Sequence, residues 1–421
     1  MKGFTAFLKK AVHRYNSTSL ILRILIGLIV GVILALVLPG WTWIGELGNL
    51  FVGALKGIAP VLVFVLVASS LAQNSSRLDK RFGTVIGLYM LTTFLAAVLA
   101  VFASELFPQT IALGEVAGEA SAAPQGLEEV FHTLLANIVT NPIASISSGN
   151  YIGILMYAVL FGFAMKKCGS DSAKSFMKDV AEAVSMIVRW IINLAPFGIL
   201  GLIHTTVSTS GLSIFTDYGK LLLLLVGTML VMALVVSPLV IFLCLRVNPY
   251  PLVWRCLKES GIPAFFTRSS AANIPVNMEL CKSLGLDENF YSVSIPLGST
   301  INMDGAAITI TIMTLAAANT LGIHVSIPAA IFLSVISTLG ACGASGVAGG
   351  SLLLIPMACS LFGISQEIAM QVVAVGFIIG VVQDSVETAL NSAGDAAFTA
   401  TAEFMQWERE GRPLPKFLRK K

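Results

Sequence analysis

Between residues 283 and 408 the chain carries no lysine or arginine, yet Asp304, Asp384, Glu387 and Asp395 sit inside its apolar runs. The segments around them are nearly pure Ala, Ile, Leu, Val and Gly, which places these acids at membrane depth. An acid buried in lipid costs about 2.5–3.5 kcal/mol on insertion scales unless a partner neutralises it. No basic side chain of that stretch can be the partner, so the simplest partners are external: cations and the ammonium group of a substrate. The pattern predicts an ion-coupled transporter rather than a structural helix bundle.

Composition agrees. Of the 421 residues, 56% are hydrophobic and 12% charged, and the mean hydropathy is +0.86. A soluble fold would expose too much apolar surface, so the class is a polytopic membrane protein. Windows of spanning length, about 20 residues, recur from residue 20 to residue 402, and no separate soluble domain interrupts them. The first, 20–38, lacks a small-residue cleavage site and reads as a retained span.

Basic residues fall in clusters: Lys2, Lys9, Lys10 and Arg14; Arg77, Lys80 and Arg81; Lys166, Lys167, Lys174 and Lys178; Arg246, Arg255 and Lys258; and residues 409–421. Glu105, Glu115, Glu119, Glu128 and Glu129 occupy the cation-free gap between the second and third clusters. The positive-inside rule puts both termini in the cytoplasm of a cell-membrane protein and the acidic segment outside. Topology accounts for the basic tail better than nucleic-acid binding does. Six cysteines show no CxxC and no metal-ligand spacing with the four histidines, so they read as small packing residues.

Six ordinary spans come first: 20–38, 47–72, 84–106, an interrupted one at 130–165, 180–206 and 218–245. After Pro249 the pattern changes to two successive units. Each is a segment with a small or polar centre, followed by a helix with a polar interruption. In the first unit, 252–284 holds Arg268-Ser269-Ser270 at its centre, and the helix 291–318 is broken at Asn302-Met303-Asp304-Gly305. In the second, 328–362 holds the Gly-rich run 340–350, and the helix 368–402 carries Asn391-Ser392-Ala393-Gly394-Asp395. Irregular backbone at membrane depth requires protein or a watery cavity around it. Both centres therefore read as tips of re-entrant helical hairpins. Paired interrupted segments in inverted repeats point to a transporter binding site. The expected fold is all-α, with eight transmembrane helices plus two re-entrant hairpins. Its parts are a basic tail (1–19), six spans (20–246), a transport core (247–404) and a second basic tail (405–421).

Asp384, Glu387, Thr388, Asn391 and Asp395 are spaced by three or four and share one helix face. Like charges at i and i+3 repel, so this face is expected to look into a cavity and want a counter-ion rather than zip to a neighbouring helix. A hard cation such as Na⁺ prefers oxygen ligands, and a broken helix frees carbonyls to supply them. Asn302 and Asp304 offer an amide and a carboxylate beside a Gly. Ser269 and Ser270 offer hydroxyls and N–H groups near a helix start, suited to a substrate carboxylate. Tyr89, Thr92 and Thr93 lie on one face of the third span.

These residues carry a resemblance. The last third is similar to the dicarboxylate/amino acid:cation symporter family, which includes the glutamate transporters. The Arg-Ser-Ser, Asn-Met-Asp-Gly and Gly-rich runs and the Asp384 to Asp395 pattern stand in the family's order. Residues 266–278 and 342–350 narrow the likeness to its bacterial sodium-coupled serine/threonine branch. The resemblance implies that Ser270 and Asn391 hold a substrate α-carboxylate and Asp384 its ammonium, with Ala344 and Gly346 of the second hairpin lining the same pocket. It implies three sodium sites. Asp395 with Asn302, Asn391 and Gly298 makes one, and Asp304 with Tyr89, Thr92, Thr93 and Asn302 another. Thr300 with carbonyls of Thr338, Leu339 and Ala341 makes the third. It further implies a homotrimer in membrane lipid, with Na⁺ as coupling ion, and alternating access in which the early spans are a scaffold and the hairpin units move.

Two departures bear on substrate. Acidic-substrate members carry an arginine where this chain has Glu387, and a threonine where it has Ala306. An acid in place of that cation repels a second carboxylate by about 4 kcal/mol at 4 Å and intermediate dielectric. Small neutral amino acids, serine and threonine first, are the expected cargo, with Glu387 or Asp384 accepting a hydroxyl proton and Arg268 pairing with Glu387. The alternative is a glutamate, aspartate or C4-dicarboxylate symporter in which Arg268 alone takes the side-chain charge. A membrane enzyme is disfavoured for want of a nucleophile–base or metal cluster, and a channel because paired gates imply alternating access.

Overall fold

The computed structural model describes residue 18 and residues 20–73, 80–112, 139–148, 150–212, 214–342, 344 and 349–418. The N-terminal basic cluster, Arg77, the acids Glu115 to Glu129, and Gly343 and Gly346 of the Gly-rich run lie outside the described residues. Among those described, every regular element is a helix.

The elements in chain order are α1 (Leu20–Val37), α2 (Gly45–Gln73), α3 (Lys80–Leu106), α4 (Pro142–Ser148), α5 (Tyr151–Cys168), α6 (Asp171–Asn193) and α7 (Ala195–Ser210). Next come α8 (Ile214–Val231) and α9 (Ser237–Leu245), joined through a π turn at Met232–Val236. The first unit is α10 (Tyr250–Cys256), a π turn at Leu257–Gly261, α11 (Ile262–Thr267), α12 (Ile274–Ser283), α13 (Glu288–Ile301) and α14 (Asp304–Thr320). The second is α15 (Ile327–Ala341), a 3₁₀ turn at Ser351–Leu354, α16 (Ile355–Ser360) and α17 (Gln366–Arg409).

Five helical stretches among the described residues are long and apolar enough to cross a bilayer, or six if α6 and α7 count as one span. Their outer faces remain apolar: Leu50, Leu106, Leu223 and Trp190 are all exposed, as side chains facing lipid would be. The helices sort into two packed groups. In one, α2 packs on α5, α6 and α7, and α1 on α7; in the other, α14 packs on α3, α15 and α17, and α3 on α15 and α17, with α8 and the first unit around them.

Two sequence expectations require correction. The span expected at 180–206 is two helices bent by 51° at Leu194. Pro196 stands in the first turn of α7, where it supplies no N–H to the preceding helix. The helix expected at 368–402 with an interruption at 391–395 is instead one unbroken α17 of 44 residues. The interruption between α13 and α14 is present, with Asn302 and Met303 outside helical geometry (ψ 83° and 50°).

That break exposes N–H groups that a helix start leaves without intrahelical partners. Side chains from other helices satisfy two of them: Met303 N–H donates to Thr93 Oγ1 (3.2 Å) and Gly305 N–H to Asn391 Oδ1 (2.7 Å). A Cβ on Gly305 would lie 2.8 Å from the Glu387 Cα, so glycine is what lets α14 reach α17 here. In the first unit, α11 ends at Arg268 in the left-handed region (φ 52°), and Ser269 to Asn273 turn the chain into α12.

Candidate cation and substrate site

The break between α13 and α14 meets the unbroken face of α17, and α3 closes the third side. Asp304, Asn302, Thr92, Thr93, Tyr89 and Asp395 are all fully buried there. Asn302 is the hub. Its Nδ2 donates to Asp395 Oδ1 (3.1 Å) and to the Asn391 carbonyl (3.0 Å), and its own N–H to the Gly298 carbonyl (2.9 Å). Thr93 Oγ1 donates to Asp304 Oδ1 at 3.1 Å, and Thr92 Oγ1 lies 3.5 Å from Asn302 Oδ1. The structure thus brings together Asp395, Asn302, Asn391 and Gly298, and separately Asp304, Thr92, Thr93 and Asn302. Tyr89 divides between the two: its hydroxyl bonds the Asp395 carbonyl (3.1 Å) and Thr399 (2.8 Å), while its carbonyl accepts from Thr92 (3.2 Å).

In each acid one oxygen is left over. Asp304 Oδ2 and Asp395 Oδ2 are buried with no hydrogen-bond partner. A buried carboxylate with an unmet oxygen is costly unless a cation approaches it. The donor set of carboxylate, amide, hydroxyl and carbonyl oxygens is the chemistry a hard monovalent cation takes. The residues present fit Na⁺.

The third expected set is not assembled by hydrogen bonds. Thr300 bonds the Leu297 carbonyl of its own helix (2.8 Å), and Thr338 the Ser334 carbonyl of its own (2.6 Å). Leu339 is 40% exposed, and the Ala341 carbonyl accepts from Ala344 N–H at 2.8 Å. The end of α15 does meet the end of α13, through Cys342, whose thiol lies 3.5 Å from the Ile301 carbonyl.

On the substrate side, Arg268 is corrected. It does not pair with Glu387; its Nε donates to Asp384 Oδ2 at 2.6 Å, both residues being buried. Asp384 Oδ1 also accepts Gly349 N–H (3.0 Å), so the acid expected to meet a substrate ammonium is held by a cation from the first unit and an amide from the second. The counter-ion of Asp384 is thus a side chain of this chain, from outside the stretch that lacks one, rather than the external cation that is its simplest partner. Glu387 is held by neutral donors, Gln383, Thr309 and Ser351, all on Oε2. Thr388 bonds the Asp384 carbonyl within α17 (2.7 Å). The face of α17 expected to look into a cavity is packed against protein, with Asp384, Glu387, Thr388, Asn391 and Asp395 all buried. Ser270 is buried and Ser269 half-buried at the tip of the first unit, where Ser269 Oγ caps Ala272 N–H (3.2 Å). Ala344 is buried; Gly346 lies outside the described residues.

Sequence reasoning missed a second polar knot. Ser392 Oγ lies within 3.3 Å of Ser260 Oγ and of the Asn273 and Asn277 amides, tying the π turn and α12 of the first unit to α17. It also missed Gln383, although Gln383 extends the i, i+4 series of that face by one turn. Thr309 and Ser351 carried no signal: Thr309 stands with Thr311 and Thr314 in an apolar helix, and Ser351 is a single hydroxyl beside an apolar run.

Known proteins resemble the chain over nearly its whole length. The chain is 70% identical over 404 residues to a serine/threonine transporter SstT of Bifidobacterium adolescentis, covering 96% of this chain and 94% of that one. It is 56% identical over 402 residues to the protein of that name from Streptococcus thermophilus, and 57% over 396 to the one from Streptococcus agalactiae. Those alignments cover 96% and 94% of this chain, and 100% and 98% of the relatives. The profile of the sodium:dicarboxylate symporter family matches residues 20–404, a span that contains both acid clusters. The chain belongs to the sodium:dicarboxylate symporter family.

Proposed function

We propose that the protein imports serine and threonine across the cell membrane together with Na⁺. The observation that carries the sodium half is the pair of unmet buried oxygens, Asp304 Oδ2 and Asp395 Oδ2, on either side of Asn302. Sodium entering there completes two oxygen shells. Because Asn302 touches both, filling one shell orders a ligand of the other. Asp384 and Asn391 receive the amino-acid ammonium and carboxylate, with Ser270 from the first unit. The name its relatives carry, serine/threonine transporter, supports the choice of cargo.

Acidic cargo is disfavoured by two features of the site. Glu387 sits where a side-chain carboxylate would arrive, and the nearby Arg268 is already committed to Asp384. In this reading the chain has eight spans and two re-entrant hairpins, works as a trimer with both termini inside, and carries its cargo by moving the second packed group against the first.

Uptake of labelled serine into proteoliposomes, under an inward sodium gradient and with each amino acid as competitor, tests the proposal. Serine and threonine should compete fully, and aspartate and glutamate not at all. Uptake that persists undiminished without sodium removes the sodium assignment. Competition by aspartate equal to that by threonine removes the neutral-substrate assignment.

A further inference from the structure

Glu387 is bound in an uneven way. Gln383 Nε2 (2.5 Å), Thr309 Oγ1 (2.7 Å) and Ser351 Oγ (2.9 Å) all converge on Oε2. They come from three elements: one turn back on α17, from α14, and from the 3₁₀ turn that resumes the chain after the Gly-rich run. All three are at most 1% exposed. Gln383 binds here through its amide nitrogen alone, its Oε1 being buried without a partner. Gln383 Nε2 also lies 2.7 Å from Thr309 Oγ1, whose one proton is shared between Glu387 Oε2 and the Gly305 carbonyl of its own helix (3.0 Å). Glu387 Oε1 receives none of these donors.

We propose that Gln383, Thr309 and Ser351 are positioning residues that set the preference for amino acids bearing a β-hydroxyl over alanine. This rests on the import of serine and threonine proposed above. A carboxylate clamped through one oxygen cannot turn, so the other points in a fixed direction and accepts the substrate hydroxyl at little ordering cost. Alanine offers no donor and leaves Oε1 unmet, which is how a site built to bond a hydroxyl rejects the analogue without one. Ser351 adds a link to the second unit. It lies two residues after Gly349, whose N–H binds Asp384, so the same turn of chain touches both acids. The hydroxyl specificity is therefore assembled only when that turn is seated.

The test uses the full-length protein in proteoliposomes with saturating sodium. KM and Vmax are measured for serine, threonine and alanine, together with half-saturating sodium. The variants are Thr309→Val and Ser351→Ala, on different elements, with Gln383→Leu as a third and Thr309→Ser as the conservative control. Each of the first three should raise the KM of serine and threonine by about tenfold, the scale of one hydrogen bond to a charged group. The alanine KM, Vmax and sodium dependence should stay, and Thr309→Ser should behave as the unmutated protein. An equal rise for all three substrates, or none in both Thr309→Val and Ser351→Ala, overturns the clamp. If the unmutated protein fails to take up serine with sodium, the import reading itself falls, which is seen before any variant is made.

Discussion

At Asp304 and Asp395 one oxygen of each carboxylate is bonded and the other is not, although both residues are fully buried. Neutralising either acid while keeping its shape removes the attraction for a cation and little else. Asp304→Asn and Asp395→Asn should each raise the sodium concentration for half-maximal serine uptake by about tenfold, equivalent to about 1.4 kcal/mol. Thr388→Ala, on the same face but bonded only within α17, should leave it unchanged. Sodium titrations of uptake in the three variants check this, and an unshifted Asp395→Asn would remove that acid from the ion site. These two acids were legible in the sequence because a carboxylate in an apolar run announces an unmet cost. The Arg268–Asp384 pair was not, since the cation stands 116 residues away, outside the stretch that lacked one. Spacing along α17 gives the face of a residue but not the partner it meets across helices.

At the scale of elements, the polar run 391–395 looked like a helix break and is not one. Each of its polar residues has a tertiary use. Asn391 Oδ1 caps α14, Ser392 gathers the first unit's asparagines, and the Asn302 amide occupies the place where a Cβ on Gly394 would be. A single glycine costs a helix about 1 kcal/mol, less than such contacts return. The α13–α14 break was legible because Asn-Met-Asp-Gly combines a weak helix former with a helix start. At the other end of α13, Asp287 caps the helix by accepting Asn289 N–H (3.0 Å) and pairs with Arg81 of α3 at 2.9 Å. The Arg81 hydrogen bond holds the Asp287 carboxyl below its usual range. Because its folded value is the lower one, the stabilisation is whole above the unfolded value of about 3.9 and is lost as pH falls through the folded value. Asp287→Ala should destabilise the protein by about 1 kcal/mol, with Asp287→Asn recovering the cap. Melting curves in detergent at pH 7 measure the difference, which should narrow below pH 4. A gap that stays constant through pH 3 would mean the charge of Asp287 contributes nothing.

Over the whole molecule, the two packed groups have different interiors. The group of α1, α2, α5, α6 and α7 joins α6 to α1 and α2 through the Arg23–Asn193 and Gln73–Lys174 bonds, and elsewhere packs through apolar contact with glycines at the crossings, where a Cβ on Gly31 would press on the Leu200 carbonyl. The other group keeps its helices in register through the polar knots around Asn302, Ser392 and Glu387. A body fixed internally by directed bonds and touching its neighbour through apolar surface can slide as a unit. The Phe51 ring of α2 meets the Phe377 ring of α17 edge to face at 5.2 Å, and marks that boundary. Cysteines at positions 51 and 377, in a protein whose six native cysteines are replaced, should be joined by a short bifunctional maleimide. Joining them should abolish serine uptake while sodium-dependent serine binding persists, since both acid clusters lie wholly within the second group. Either single cysteine treated with the same reagent should transport normally. Full uptake by the cross-linked protein would mean that the two groups do not move past one another, and that cargo crosses by a local opening of the second unit alone.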